Sequence, residues 1–271
     1  MKNTSPRFLP EVKTRIIQAY DDIVSSHKKC HGTGIISISD YKSRLCGCKI
    51  VFRYVKELIK ANIPQDYWSL EFDNLHLDRL NYKIVKTYIE NLDRAKQNGL
   101  GLVLFGQNGT GKTSIMAEIA KQAIINKYKA QYFTLSSYVD ALLSKDTERV
   151  AYYESGDFLL IDELDKKVGT AAIYKIIDEF LRRMFNQGKS LIMATNWDSD
   201  ELKEHLGEST NSLLKRRSEF LFFQGDDYSE TLQTKYAIRL KKNFNYFSLA
   251  IINYAFERDD QIIDSDKEAA N

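Results

Sequence analysis

Gly106-Gln107-Asn108-Gly109-Thr110-Gly111-Lys112-Thr113 matches the phosphate-binding pattern G-x-x-x-x-G-K-[ST] without a mismatch. The flanking sequence supplies the context that the pattern needs. Leu100 to Phe105 is an apolar run long enough for a buried strand. Ser114 to Asn126 carries Ile115, Ile119, Ala120, Ala123 and Ile124 at helical spacing. A strand, a glycine-rich turn and a helix start together aim backbone N–H groups at an anion. The glycines let the chain curl closely around phosphates. In such a loop Lys112 reaches the β- and γ-phosphates and the Thr113 hydroxyl holds Mg²⁺. Every residue from Gly106 to Ser114 is therefore a candidate contact to the phosphates of a nucleotide.

Working outward, Phe158-Leu159-Leu160-Ile161-Asp162-Glu163 reads as a short apolar strand ending in two carboxylates. Asp162 at the strand tip is placed to hold Mg²⁺ through water. Glu163, one residue on, is placed to polarise a water for in-line attack on a γ-phosphate. Taken alone, the pair is equally a solvated acidic turn with Asp165. Leu191-Ile192-Met193-Ala194-Thr195-Asn196 is another apolar strand with a polar end. Asn196 there can hydrogen-bond the attacking water or the γ-phosphate.

From Gly99 onward strands and helices alternate, the signature of a parallel sheet covered by helices. The expected strands are 100–105, 130–135, 158–162, 190–195 and 220–224, with helices over 136–143 and 171–186. Before that, helices are expected over 12–24, 48–62 and 80–98, with Pro64 ending the second. The segment 231–256 mixes basic and aromatic residues and reads mostly as helix. The tail from Glu257 is acidic, poor in apolar residues and expected to be disordered. Four parts follow: an N-terminal module over 1–65, a linker and helix over 66–98, a core over 99–256 and the tail over 257–271.

All three cysteines fall within 19 residues, as His27-x2-Cys30-x15-Cys46-x-Cys48. Four N/S ligands at this spacing can close a tetrahedral Zn²⁺ site, with His31 a competing fourth ligand. Three unligated thiols are the alternative. So small a module buries little apolar surface, so a metal would matter to its folding.

The order of loop, acidic strand and terminal Asn resembles that of the AAA+ ATPases. The stretches FGQNGTGKTSIMAEIA, YFTLSSYVDAL, FLLIDELDKK, GKSLIMATNWDSDELKEHLG and LLKRRSEFLFFQGDDY narrow the resemblance to the helicase loaders of the DnaC and DnaI type, related to the transposition helper IstB. It covers about residues 65–228. It implies a P-loop core with a five-stranded parallel sheet, and slow, partner-stimulated ATP hydrolysis acting as a switch. It also implies an arginine working on a neighbouring protomer or another AAA+ ATPase, carried here onto Arg216, with Arg217 the alternative. Loaders often carry a Cys-x2-Cys…Cys-x-Cys cluster in the N-terminal module, where His27 replaces the first cysteine. The implied partners are a hexameric replicative helicase, gripped by that module, and single-stranded DNA, handled by the core. Ser136, Ser137, Tyr138 and Lys145 are the candidate DNA contacts. A second sensor arginine finds no fixed place, since Ser229 stands where relatives carry a basic residue.

The bulk properties agree. The chain of 271 residues is 43% hydrophobic and 28% charged, ordinary for a globular protein. It lacks the roughly 18 consecutive apolar residues of a membrane span and an N-terminal signal sequence, so a cytoplasmic location is expected. Residues 1–63 hold 12 Lys/Arg against 5 Asp/Glu. This basic segment suits nucleic acid or an acidic partner, and equally a solvated surface. Three rival functions stand at this point: a zinc-dependent adaptor with a vestigial nucleotide site, against which the intact Lys112, Thr113, Asp162 and Glu163 argue, a transposition helper acting on duplex DNA, and a small-molecule phosphotransferase. The last needs an acceptor pocket and an arginine-bearing lid, neither of which is legible.

Overall fold

The computed structural model describes residues 9–39, 41–72, 75, 77–166 and 170–224, together with Ile263 and Asp264. The described residues fall in two compact units, one of residues 10–60 with Ile263–Asp264 and one of Leu9 with residues 61–224.

The smaller unit begins with helix α1 (Pro10–Tyr20), which runs into a wide π-type turn over Asp21–Ser25. A hairpin follows that the sequence did not suggest: β1 (Ile35–Ser39) pairs antiparallel with β2 (Lys42–Leu45). Helix α2 (Gly47–Lys60) turns Cys48, Phe52, Val55, Leu58 and Ile59 inward at helical spacing. The Phe52 ring meets Tyr20 edge-on, with centroids 5.1 Å apart.

The larger unit opens with α3 (Arg79–Glu90) and α4 (Leu92–Asn98), where one continuous helix was expected. Asn91 leaves helical geometry (φ −121°) and breaks it. The remaining elements follow in alternation: β3 (Gly101–Gly106), α5 (Lys112–Ile125), β4 (Ala130–Thr134), α6 (Leu135–Leu143), α7 (Thr147–Tyr153), β5 (Phe158–Asp162), α8 (Ala171–Asn186), β6 (Ser190–Thr195), α9 (Ser199–Arg217) and β7 (Ser218–Phe223). Helices α7 and α9 are additions to the expected list. Gly207 lies outside helical geometry and kinks α9. The tetrapeptide Asp198 to Glu201 starts α9 with a reciprocal capping box, a local signal legible in retrospect.

The five strands form the expected parallel sheet, in the order β4-β5-β6-β3-β7. All of β5 and all of β6 are buried, which explains their continuous apolar runs. The sheet's edges are capped by side chains and loops. The Tyr132 N–H on β4 donates to Ala61 O at 2.8 Å, and Asn81 Nδ2 on α3 donates to Phe222 O on β7 at 2.7 Å. Strand β3 lies between β6 and β7, parallel to both. The crevice beyond its carboxyl end is where ligands bind in open α/β sheets.

The helix expected over 231–256 lies outside the described residues. So does most of the acidic tail, except that Ile263–Asp264 forms a short strand, β8, paired antiparallel with Lys42–Ser43 of β2.

Candidate functional site: a phosphate loop and a cysteine–histidine cluster

The phosphate loop leaves the carboxyl end of β3 and enters α5 at Lys112. Gly106 is indispensable to it: its φ is +131°, and a Cβ there would stand 1.9 Å from Phe223 O. Gly111, at φ +90°, turns the chain into the first N–H groups of α5. Lys112 is buried, and Nζ donates to Gly106 O and Gln107 O at 2.6 Å each and to Asn196 Oδ1 at 3.1 Å. Burial pushes its pKa down, while the charges of Asp165 and Asp162 pull it back up.

Asp162 closes β5 at the level of the loop. Its Oδ2 accepts from the Thr113 hydroxyl at 2.8 Å and from the Tyr132 hydroxyl at 2.8 Å, while Oδ1 accepts from the Glu163 N–H at 2.8 Å. Burial and the adjacent Asp162 charge push the Tyr132 pKa far up, which keeps that hydroxyl a donor. Tyr67, from the segment expected to be a linker, also reaches this place. Burial raises its pKa, as does the Asp162 charge, against a hydrogen bond with Thr113. Thr113 and Asp162 thus offer hard oxygen donors side by side, which suits Mg²⁺. Glu163 holds a left-handed backbone (φ +55°), and its carboxylate is ion-paired with Lys166. Asn196 stands at the end of β6, and Asp165 grips it from behind. The Asp165 carboxylate accepts from the Asn196 backbone N–H and from Nδ2, each at 2.8 Å.

The structure therefore gathers Lys112, Thr113, Asp162 and Asn196 around one loop, with Glu163 adjacent in the chain. Tyr132, Tyr67 and Asp165 were not singled out as part of it from sequence. Only Asp165 carried a signal, as the third acid of the Asp-Glu-Leu-Asp run.

Arg216 lies elsewhere. It is exposed at the end of α9, beside a groove of about 710 Å³ lined also by Lys83, Arg94, Lys215 and Arg217. The groove touches Gly101, at the end of β3 opposite to Gly106. Arg217 is half-buried and donates to Asn98 O at 2.5 Å. Tyr138, a candidate base-stacking residue, is a correction: it is about 1% exposed. Its ring packs against Phe180 (centroids 4.2 Å) and its hydroxyl donates to Glu154 at 2.5 Å, so no base can stack on it. Lys145 is exposed, while Ser136 and Ser137 turn their hydroxyls to Thr134.

In the smaller unit, one ligand atom from each of His27, Cys30, Cys46 and Cys48 lies within 4.8 Å of the others. Cys30 Sγ is 3.4 Å from His27 Nδ1 and 3.5 Å from Cys48 Sγ, and Cys46 Sγ is 3.5 Å from His27 Nδ1. Ligands at about 2.3 Å on a tetrahedron stand roughly 3.7 Å apart, so the group fits such a metal ion. His31 is exposed and outside the group. The Gly34 N–H donates to Cys30 Sγ at 3.3 Å, a bond that favours the thiolate a metal would need. Burial opposes ionisation of Cys30, but His27, the Gly34 N–H, Cys48 and Cys46 outweigh it and lower its pKa to about 6. Burial and the two neighbouring thiols push Cys48 up to about 12. A cation among the three sulfurs would relieve that conflict.

With this geometry in view, the comparisons with known proteins define a class. Residues 102–218 match the ATPase family associated with various cellular activities (AAA), and the chain carries a domain of that family. Within the class the similarity runs to DnaC-type loaders. The chain is 25% identical over 186 residues to the replicative helicase loader DnaC of Buchnera aphidicola subsp. Baizongia pistaciae (strain Bp), spanning 64% of this chain and 74% of the relative. The solved DnaC helicase loader shares the fold at a TM-score of 0.53 and 20% identity, over 59% of this chain and 100% of that one. DnaI does so at 0.51 and 16% identity, over 62% and 98%. Among the described residues no helix is long and apolar enough to cross a membrane.

Proposed function

We propose that this protein is an ATP-dependent loader of a hexameric replicative helicase onto single-stranded DNA, with ATP hydrolysis as its switch. One observation carries the reading: Lys112, Thr113, Asp162 and Asn196 converge on the loop of an AAA domain whose curated relatives are helicase loaders.

The loop amides and the start of α5 take the phosphates of ATP or ADP. Lys112 exchanges its protein oxygens for phosphate oxygens, whose negative charge offsets the burial that lowers its pKa. Thr113 and Asp162 hold Mg²⁺, which when bound neutralises charge on the phosphates. Glu163 leaves Lys166 to accept a proton from the attacking water, and Asn196 orients that water. Arg216 acts on a neighbour and not on its own protomer. Its groove lies at the far end of β3, about 20 Å from the loop at roughly 3.3 Å per residue. An arginine there completes a site only when another copy, or another AAA+ ATPase, docks against it. His27, Cys30, Cys46 and Cys48 hold Zn²⁺ and so shape the unit that grips the helicase.

The test is size-exclusion of the full chain with the replicative helicase of the same cell, with and without ATP. Co-elution that depends on nucleotide supports the reading. Failure to co-elute in both conditions, together with capture of a transposase, would replace it with the transposition-helper alternative.

A further inference from the structure

Asp165 has no part in the general scheme of loop, magnesium and water, yet it makes the most specific contact at the site. Its Oδ1 accepts from the Asn196 N–H at 2.8 Å and from the Thr195 hydroxyl at 3.3 Å, and its Oδ2 accepts from Asn196 Nδ2 at 2.8 Å. On its other side Asn196 Oδ1 accepts from Lys112 Nζ at 3.1 Å. A carboxylate can only accept and an ammonium can only donate, so the two ends of the Asn196 amide are not interchangeable. The nitrogen is committed to Asp165, and the oxygen faces the loop. The Leu164 N–H donates to Ala194 O at 3.0 Å, which ties the turn bearing Asp165 to the strand bearing Asn196.

We infer that Asp165 is a positioning residue that turns the carbonyl oxygen of Asn196 toward the reacting phosphate, so that Asn196 serves hydrolysis as a hydrogen-bond acceptor for the water and not as a donor to the γ-phosphate. This rests on the ATPase reading above and specifies the polarity of its sensor. The water has two protons. One points at Asn196 Oδ1 and the other at the Glu163 carboxylate, which leaves an oxygen lone pair directed at phosphorus. As the new O–P bond forms, the bond from phosphorus to the β–γ bridging oxygen breaks and ADP leaves with that electron pair. Glu163 takes one proton. The proton held by Asn196 stays on the released phosphate.

Asp165→Asn is the discriminating variant. The new amide keeps an oxygen for the Asn196 N–H but sets an NH₂ against the Asn196 NH₂. Asn196 then flips and presents its nitrogen to the loop. A donor at that point can still bond a γ-phosphate, so the variant still binds nucleotide. Turnover falls to that of Asn196→Ala, roughly 10²-fold, the size typical of losing one aligned polar group at a reacting centre. Adding Asp165→Asn to Asn196→Ala lowers turnover no further, because the two act as one device.

The experiment measures kcat for ATP and the affinity for a non-hydrolysable analogue on the full chain, for wild type, Asp165→Asn, Asn196→Ala and the double variant, with thermal melting alongside. Asp165→Ser replaces Asp165→Asn if the latter does not fold, with the same expected ranking. Wild-type turnover in Asp165→Asn, where Asn196→Ala loses it, overturns the inference and leaves the ATPase reading intact. A wild-type protein that binds but never hydrolyses ATP, with or without its partner, overturns both.

Discussion

The phosphate loop and the cysteine–histidine cluster are two candidate ligand sites built in opposite ways. The loop is held by a large apolar scaffold. Strands β5 and β6 are buried end to end, and Gly106 is locked against Phe223 whatever occupies the crevice. Among the described residues the cluster's unit buries a smaller apolar set, chiefly Val12, Ile23, Val24, Phe52, Val55, Leu58 and Ile59. Its hairpin is largely exposed, and three of its buried groups are the cysteines themselves. The first site is shaped by the fold, whereas in the second a bound Zn²⁺, as proposed above, would shape the fold. Loss of ligand is therefore expected to silence the larger unit and to unfold the smaller one.

Removing the metal offers the largest effect. Structural Zn²⁺ contributes apparent free energies of about 10–16 kcal/mol in small domains. Chelation, or Cys48→Ser, is expected to abolish the folded signal of residues 10–60 in hydrogen exchange while the sheet of the larger unit keeps its protection. Uniform loss in both units would erase the contrast. Next comes Arg216→Ala. It should leave nucleotide affinity alone and lower partner-stimulated hydrolysis by about 10³-fold, the lower end for an arginine supplied in trans. Mixing it with Glu163→Gln protomers should restore activity to the mixture, as a turnover assay would register. Glu163→Gln alone should cost roughly 10²- to 10⁴-fold in turnover, with ATP still bound, since it removes the base and not the cradle. The smallest effect is that of Tyr132→Phe. Loss of one hydrogen bond to a carboxylate costs about 1.5–3 kcal/mol. It should weaken Mg²⁺-dependent ATP binding more than Mg²⁺-independent binding, measurable by titrating the metal at fixed nucleotide.

The same contrast explains what could be read in the chain. The parallel sheet was legible because buried strands demand continuous apolar runs, as in Phe158–Asp162 and Ser190–Thr195, and because the phosphate loop fixes its own neighbours. The hairpin Ile35–Ser39 with Lys42–Leu45 was not: it is mostly exposed, and its pattern lacks a clean alternation. Asn91 gave no sequence cue for splitting the long helix, because Asn is tolerated inside helices as well as at their ends. At the site, residues fixed by a motif were legible one by one, while those fixed by tertiary approach were not. Tyr67 and Tyr132 reach Thr113 and Asp162 from distant segments, and no spacing rule announces that. Tyr138 shows the converse. An aromatic residue in a helix beside the acidic strand fits a DNA contact or the core equally well, and burial decided it.

Calorimetric titration of the full chain with Mg²⁺–ATP, wild type against Lys112→Ala, bears most directly on the central claim. A cradle of loop amides clamped by Lys112 predicts saturable heat at one site per chain for wild type and at least 100-fold weaker binding for the variant (about 2.7 kcal/mol). Equal binding by the two proteins, or no heat from correctly folded wild type, would contradict it.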